Sequence, residues 1–401
     1  MGSPLSRRAR AIAPSVTLAV TARAKELKAS GVDVVAFAAG EPDFDTPEYI
    51  RRAAHEAIDK GLTRYTPASG TAELKAAIAR KLHEDNSLEY LPDEIIVSCG
   101  AKHSLANLCL VLVDDGDEVL LPAPYWVSYP EMIRLAGGTV KVLPTSAESG
   151  FKVTAGQVAA AVTDRTKLFI LNSPSNPTGA VYSAEELADL AHVLAEKGVW
   201  CVSDEIYEKL VYGGTAHRSI AEVAPELKPR TVVVNGHSKA YAMTGWRIGY
   251  AAGPAEVIKA ASSLQSHTTS NPTSIAQAAA LAALADRQTQ KCEVERMRAE
   301  FERRRDRMVA GLRTIDGVSV PAEPQGAFYV FPDVSRLYGR GRFAGAAGSV
   351  DFARVCLDEA HVALVPGAAF GEDACVRLSY ATGLDRIEEG IRRLALLAAA
   401  G

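Results

Sequence analysis

Short apolar segments alternate with longer amphipathic segments through the middle of the chain, and this alternation limits the fold more than any other feature. The apolar segments lie at 95–97, 118–121, 139–142, 168–171, 199–202, 231–234 and 248–252. Strands that alternate with helical stretches are typical of βαβ units, in which helices cover a mostly parallel sheet. The sequence therefore predicts an α/β fold whose large domain contains a mostly parallel seven-stranded sheet.

The C-terminal third has a mixed pattern, with strands expected near 328–331, 362–365 and 376–379, a helix over 351–359 and a final helix from Leu384. This pattern predicts a second, smaller α+β domain. We assign residues 41–290 to the large domain, and residues 1–40 together with 291–401 to the small one. A helix is also expected over 47–60, with Thr46 as its cap.

Composition argues against several classes of function. The formal net charge of −4 and the absence of a long Lys/Arg run disfavour nucleic-acid binding. No segment approaches the roughly 20 apolar residues of a membrane span. The six cysteines and eight histidines lack the spacing of a disulfide framework or a metal site. Because Pro14 interrupts the apolar residues after Arg7, Arg8 and Arg10, we interpret the N-terminus as a basic arm and expect a cytoplasmic protein.

Three polar residues follow predicted strands of the sheet. Asn176 follows the fourth strand, Asp204 directly follows the fifth, and Lys239 follows the sixth. Ligands of such sheets bind outside the carboxyl ends of the strands. Apolar neighbours and the fixed cation Arg247 would lower the pKa of Lys239 and favour the neutral amine that a Schiff base requires.

Pyridoxal phosphate requires this combination of groups. It needs a Schiff-base lysine, a carboxylate for its pyridine nitrogen, donors to its phenolic oxygen and an anion site for its phosphate. The turn formed by Gly100, Ala101 and Lys102 precedes a predicted helix, whose backbone N–H groups and positive dipole end suit a phosphate. Pyridoxal phosphate is therefore the predicted cofactor.

The same residues, in the same order, carry a family resemblance. Tyr65, Gly100-Ala101, Trp126, Asn176-Pro177-Thr178-Gly179, Asp204, Tyr207, Ser238-Lys239, Arg247 and Arg377 occur as in class I aminotransferases of fold type I. The chain resembles most closely the bacterial aspartate aminotransferases of the subgroup distinct from the animal and enteric enzymes, over nearly its whole length. The resemblance implies ping-pong transamination of aspartate and glutamate with 2-oxoglutarate and oxaloacetate. Relatives that act on prephenate, aromatic donors or kynurenine supply the alternatives.

The resemblance also implies roles around the cofactor ring. Lys239 would hold the cofactor and then move a proton between the substrate α-carbon and the cofactor. Asp204 would keep the pyridine nitrogen protonated, Tyr207 and Asn176 would bond the phenolic oxygen, and Trp126 would stack on the ring.

The resemblance also implies which residues bind the phosphate and the substrate. Arg247, Ser238 and the Gly100-Ala101-Lys102 turn would bind the phosphate, together with Tyr65 from a second subunit, which implies a homodimer with shared active sites. The expected substrate-binding residues are Gly40, Lys102, Trp126, Asn176, Arg377, Ser15 and Thr17. Among them, Arg377 would clamp the α-carboxylate, while Lys102, helped by Ser15 and Thr17, would bind the distal carboxylate.

The sequence departs from the family pattern at two points, and two rival functions stay open. It has no evident counterpart of the partner-subunit arginine with which the animal and enteric enzymes bind a distal carboxylate. Gly236 stands where many relatives carry a serine for the phosphate. Residues 236–240 nearly match a nucleophile elbow, so a serine hydrolase with Ser238 as nucleophile is one rival. A non-catalytic regulator of the same fold is the other, although the chain lacks a basic extension for DNA.

Overall fold

The computed structural model describes residues 4–400, apart from the side chain of Arg7. The helices are α1 (Arg7–Ala11), α2 (Val16–Ala29), α3 (Glu48–Asp59), α4 (Ala72–Asn86), α5 (Ala101–Leu112), α6 (Tyr129–Leu135), α7 (Ala155–Ala161), α8 (Ala184–Glu196), α9 (Ile220–Val223), α10 (Ala255–Thr268), α11 (Ser274–Ala285), α12 (Arg287–Leu312), α13 (Ser349–Ala360) and α14 (Leu384–Ala399). Short 3₁₀ helices span Pro92–Glu94, Lys228–Arg230, Ser335–Leu337, Gly341–Phe343 and Gly367–Phe370.

The strands form three sheets. They are β1 (Val35–Ala36), β2 (Ile95–Ser98), β3 (Glu118–Ala123), β4 (Thr139–Pro144), β5 (Thr166–Asn172), β6 (Trp200–Asp204), β7 (Thr231–Gly236), β8 (Gly249–Ala252), β9 (Tyr329–Val330), β10 (Val362–Ala363), β11 (Val365–Pro366) and β12 (Val376–Ser379). The large sheet has seven strands in the order β2-β8-β7-β6-β5-β3-β4, and only β8 runs antiparallel to its neighbours. This confirms the predicted α/β fold.

The large sheet is covered on both faces, which explains why its strands are apolar without interruption. Along β7, Val232 and Val234 pack into one hydrophobic cluster while Val233 packs into another. Successive side chains of a strand point to opposite faces, so each face buries its own valines. The polar ends of the strands are left to face a ligand.

The remaining strands lie outside the large sheet. β1 pairs with β10, and β12 lies between β11 and β9 in a three-stranded antiparallel sheet. The single strand expected at 362–365 is therefore wrong, because the chain changes sheets at Leu364. The domain boundaries at 40/41 and 290/291 stay a prediction.

The predicted cap of α3 is also wrong. Pro47 occupies the cap position, and the helix has no side-chain cap. The Thr46 hydroxyl instead donates to the Ala242 carbonyl at 2.6 Å and accepts from the Trp246 indole at 2.9 Å. Thr46 thus fastens the loop that precedes Arg247. Within residues 4–400, no helix has the length and apolar character needed to cross a membrane.

Candidate active site

A cavity of about 560 Å³ opens where β5, β6 and β7 end. Its size falls in the range of small-molecule sites. Its lining includes most of the predicted site residues, namely Ser15, Thr17, Gly40, Ala101, Lys102, Trp126, Asn176, Asp204, Tyr207, Ser238, Lys239, Arg247 and Arg377. The sheet has therefore brought together residues that lie more than 350 positions apart in sequence.

Lys239 projects into this cavity from the loop after β7. Its ammonium donates to the Gly40 carbonyl at 2.6 Å. Burial lowers the pKa of Lys239 to about 8, and Arg377 and Arg247 act in the same direction, against the carboxylates of Glu41 and Asp204. A much larger fraction of Lys239 is therefore in the neutral amine form near neutral pH than for an ordinary lysine.

Asp204 ends β6 and is buried. Its Oδ2 accepts from the Tyr129 hydroxyl at 2.7 Å, and its Oδ1 accepts from the Ile206 backbone N–H at 3.2 Å. Burial raises the pKa of Asp204 to about 6, although both hydrogen bonds favour the ionised form. Sequence reasoning missed Tyr129. A buried carboxylate requires a donor, but no local pattern shows which side chain supplies it.

Tyr207 meets a second residue that the sequence did not single out. Its hydroxyl lies 2.8 Å from that of Tyr329, which comes from β9 in a different sheet. The Tyr329 ring also lies under the Arg377 guanidinium, 4.4 Å from ring centroid to carbon. Tyr329 therefore links the two predicted site residues Tyr207 and Arg377.

Arg377 is only 2% exposed. It donates from Nη1 to Asn176 Oδ1 at 2.9 Å and from Nη2 to the Ala38 carbonyl at 3.0 Å. Its Nε is buried without a partner in residues 4–400. A buried guanidinium with no carboxylate partner is costly, and an anionic ligand would offset that cost.

Arg247 and the start of α5 form a compact cradle. The backbone of Arg247 is left-handed, with φ 55°, and its guanidinium donates to the carbonyls of Thr244 at 2.9 Å and Cys99 at 3.3 Å. Gly100 has φ 88°, and a Cβ there would strike the Arg247 guanidinium. A Cβ on Gly249 would strike the Ala101 backbone nitrogen. Both glycines are needed for this close approach of an arginine to a helix N-terminus.

Close packing of two strands explains why position 236 is a glycine. It pairs with Gly249 between β7 and β8, and a Cβ at this position would lie 2.8 Å from the Gly249 Cα. A serine would displace backbone here, so the cradle has no hydroxyl from position 236.

The outer part of the cavity carries a second cation. The Lys102 ammonium lies 4.7 Å from the centroid of the Trp126 ring, and burial lowers its pKa with a smaller contribution from Arg247. The Thr17 hydroxyl is buried without a partner in the described chain, whereas Ser15 caps α2. Lys102 and Thr17 thus both remain available to a ligand.

Two predicted site residues are not part of the cavity lining, Gly100, which directly precedes the lining residue Ala101, and Tyr65. The Tyr65 side chain is 91% exposed. The fold of a single chain does not bring it to Lys239, and its contribution to a second subunit stays a prediction.

The residues present fit pyridoxal phosphate. The cradle offers a guanidinium and a helix N-terminus to the phosphate. Asp204 offers a buried carboxylate, and Lys239 offers a reactive amine. The orphaned Nε of Arg377 lies outside this set and is left for a second anionic ligand.

Comparison with known proteins identifies the family of this chain. The family model for aminotransferase class I and II matches residues 32–394. The chain belongs to this aminotransferase family. Its members are enzymes that depend on pyridoxal phosphate, as the site chemistry predicted, and this rules out the serine hydrolase. Accordingly, Ser238 makes no hydrogen bond to a histidine within residues 4–400. The likeness to aspartate aminotransferases over nearly the whole chain rules out the non-catalytic regulator.

The relatives of this aminotransferase match along nearly its full length. An aspartate aminotransferase of Bacillus sp. strain YM-2 is 51% identical, over 97% of this chain and 98% of the relative. An aspartate/prephenate aminotransferase of Cereibacter sphaeroides is 49% identical, over 96% of each chain. The solved aspartate aminotransferase of Thermus thermophilus with maleate superposes with a TM-score of 0.93 and 46% identity, covering 99% of this chain and 100% of that one.

Proposed function

We propose that this aminotransferase transfers the amino group of aspartate, and of glutamate, to 2-oxoglutarate or oxaloacetate by a ping-pong mechanism. The observation that carries the proposal is that two cations, Arg377 and Lys102, line one cavity together with Lys239. A dicarboxylate needs a cation at each end. The relative from Thermus thermophilus was solved with maleate, which is a four-carbon dicarboxylate.

In this proposal Arg377 binds the α-carboxylate. Its free Nε and its planar fork suit a carboxylate, and Asn176 and Tyr329 hold the guanidinium in place. Lys102 binds the distal carboxylate, with Ser15 and the unpartnered Thr17 hydroxyl beside it. Gly40 lines the pocket, where a Cβ would lie 3.3 Å from the Tyr329 hydroxyl.

Bound pyridoxal phosphate supplies an electron sink that stabilises negative charge at the substrate α-carbon. Lys239 would hold the cofactor covalently and, once released by the substrate, would take the proton from the substrate α-carbon and deliver it to the C4′ carbon of the cofactor. Asp204 would pair with the pyridine nitrogen and hold it protonated. Tyr207 and Asn176 would bond the phenolic oxygen, and Trp126 would stack on the ring.

The phosphate is assigned to the cradle. The Arg247 guanidinium, the Ser238 hydroxyl and the first backbone N–H groups of α5, from Ala101 and Lys102, provide the donors. Gly100 allows the guanidinium and the helix N-terminus to approach each other. This set accounts for phosphate binding without a hydroxyl at position 236.

Three further assignments belong to the same proposal. The protein is a homodimer in which Tyr65 reaches the phosphate of the other subunit, an idea supported by its 91% exposure. Residues 41–290 form the cofactor domain, supported by the presence of all seven strands of the large sheet there, while β1 pairs with β10 in the remainder. The protein acts in the cytoplasm.

The decisive experiment compares amino donors in wild type and in Lys102→Ala. Loss of the distal contact should raise the KM for aspartate about 10- to 100-fold, which corresponds to about 1.4–3 kcal/mol, and should leave the KM for alanine nearly unchanged. Lys141→Ala, at the opposite edge of the sheet, is the matched control. An unchanged KM for aspartate in Lys102→Ala would sink the proposal.

One second candidate has specific support. The Cereibacter sphaeroides relative is named for prephenate as well as aspartate, and prephenate also carries a second carboxylate. The same assay with prephenate as acceptor separates the two, because an enzyme restricted to aspartate and glutamate should show no turnover with it.

A further inference from the structure

The turn after β6 presents side chains to two different regions of the protein. Asp204 and Tyr207 line the cavity, whereas Glu205 and Glu208 are not part of its lining and are 1% and 7% exposed. The turn is closed by a hydrogen bond of 2.9 Å from the Glu208 backbone N–H to the Glu205 carbonyl. Two buried carboxylates therefore share one short segment with two cavity residues.

Glu208 is fixed by the last turns of α4. Its carboxylate forms an ion pair with Lys81 and accepts from the Asn86 amide at 2.8 Å, while Lys81 also donates to Asn86 Oδ1 at 2.7 Å. The Lys81 and Glu208 side chains are only 4% and 6% exposed. Although burial opposes ionisation, Lys81, Lys209 and His217 lower the pKa of Glu208 to about 2. Glu208 is thus a buried carboxylate held charged by its neighbours.

Glu205 is fixed from the other side of the turn. It accepts from the hydroxyls of Ser203 at 2.9 Å and Ser219 at 2.7 Å, and its second oxygen lies 3.2 Å from Nε2 of His217. The ligand atoms of Glu205, Glu208 and His217 are close enough to hold a cation. The Lys81 ammonium already provides the positive charge at Glu208, and the hydroxyls and the imidazole already occupy both oxygens of Glu205.

The ionic contacts continue to α12. Lys209 lies 2.8 Å from Asp85, and Arg287, the first residue of α12, pairs with Asp85 and lies 2.9 Å from Glu84. Helix α12 leads out of the segment that contains the large sheet. The same ionic network therefore contacts the turn after β6, helix α4 and the start of α12.

We propose that the buried network of Lys81, Asp85, Glu205, Glu208 and His217 is a positioning device that holds the backbone of the turn, so that the Asp204 carboxylate and the Tyr207 hydroxyl stand in fixed places for the cofactor. This inference rests on the proposed function, because it takes Asp204 and Tyr207 as cofactor contacts. Buried ion pairs contribute little net stability compared with apolar packing, so their presence here is explained better by the geometry they impose.

The test removes both charges of the central pair. Lys81→Met/Glu208→Gln leaves neither partner unpaired and conserves side-chain volume. The matched control is Lys141→Met/Glu118→Gln, which removes a buried carboxylate and its lysine, 3.4 Å apart, at the opposite edge of the same sheet. Three quantities are measured for each: the Tm of the apoprotein, the Kd for pyridoxal phosphate, and the pH midpoint of the absorbance change of the bound cofactor.

Lys81→Met/Glu208→Gln should bind pyridoxal phosphate about 10-fold more weakly and shift the pH midpoint of the absorbance change by about half a pH unit or more. The control variant should keep the wild-type affinity and midpoint, even if its Tm falls by the same amount. The inference is overturned if both variants lose similar Tm while affinity and midpoint stay at the wild-type values. If the double variant does not fold, His217→Ala should shift the midpoint and His217→Gln should restore it, because an amide can still donate to Glu205. Wild-type protein that fails to bind pyridoxal phosphate would defeat the proposed function itself.

Discussion

The Tyr129 hydroxyl donates a hydrogen bond of 2.7 Å to Oδ2 of Asp204, and both side chains are buried. The bond favours the ionised carboxylate, but burial outweighs it and raises the pKa of Asp204 to about 6. A charged Asp204 is the form that can pair with a pyridinium nitrogen. The geometry of this pair therefore bears directly on the affinity for the cofactor.

Tyr129→Phe should raise the pKa of Asp204 further, because it removes the side-chain donor to the carboxylate. If the pKa rises by roughly one unit, the ionised fraction of Asp204 at pH 6 falls about 5-fold, so the Kd for pyridoxal phosphate should rise about 5-fold at pH 6 and change little at pH 8. Fluorescence titration of apoprotein at both pH values measures this. Tyr182→Phe, which removes another buried hydroxyl bonded to the Val153 N–H, controls for general destabilisation. An equal loss at both pH values would contradict the prediction.

Asp204→Asn should stabilise the apoprotein near neutral pH while weakening cofactor binding. The carboxyl group has an ordinary pKa of 3.8 in the unfolded chain but a pKa of about 6 in the folded protein, so its contribution to stability is lost as the pH rises from about 4 to about 6. The shift corresponds to about 3 kcal/mol at most. Urea unfolding should find the variant more stable than wild type at pH 7 and similar to it at pH 4. Equal differences at the two pH values would show that ionisation is not the cause.

Covalent capture of the cofactor should follow the neutral form of Lys239. Since the pKa of this amine is lowered to about 8, the rate of covalent attachment of pyridoxal phosphate to apoprotein should rise with pH and level off above about 8.5. Stopped-flow absorbance between pH 6.5 and 9.5 measures the profile, and Lys239→Ala should show no attachment. A rate that still climbs steeply at pH 9.5 would indicate an unperturbed lysine.

Gly100→Ala should damage the phosphate cradle. Its φ of 88° disfavours a side chain, and the added Cβ would strike the Arg247 guanidinium, so we expect at least about 1 kcal/mol of destabilisation together with weaker binding of pyridoxal phosphate. Gly245→Ala, two residues before Arg247, has nothing within 4 Å of the added Cβ and serves as the control. Thermal unfolding and titration with inorganic phosphate are measured for both apoprotein variants. Equal stability and equal phosphate affinity in Gly100→Ala and Gly245→Ala would be evidence against the cradle.

Mixed dimers should reveal whether Tyr65 acts across subunits. Tyr65→Ala and Lys239→Ala homodimers should each have low activity. A hybrid of one subunit of each kind contains one site with Lys239 from one chain and Tyr65 from the other, so it should regain up to half of the wild-type activity per dimer. Hybrids that regain none would place Tyr65 outside the partner site.

The sequence predicted the residues that follow the strands, and the reason is geometric. Asp204 ends β6 and Lys239 lies in the loop after β7, and the carboxyl ends of such parallel strands meet at one edge of a sheet. Tyr129 and Tyr329 escaped prediction because they reach the site through packing: their partners lie 75 and 122 residues away in the chain. The buried ionic network was missed for the same reason, since Lys81 lies on a helix whose other buried positions are mostly apolar.

The contacts that hold the loop before Arg247 affect the free energy of phosphate binding. Thr46 holds this loop at Ala242 and Trp246, and Arg247 itself donates to the Thr244 carbonyl. The unfavourable left-handed backbone of Arg247 is thus held by contacts within the protein itself. Preorganisation of this kind removes an ordering cost from association, so part of the folding free energy is spent on the shape of the anion site.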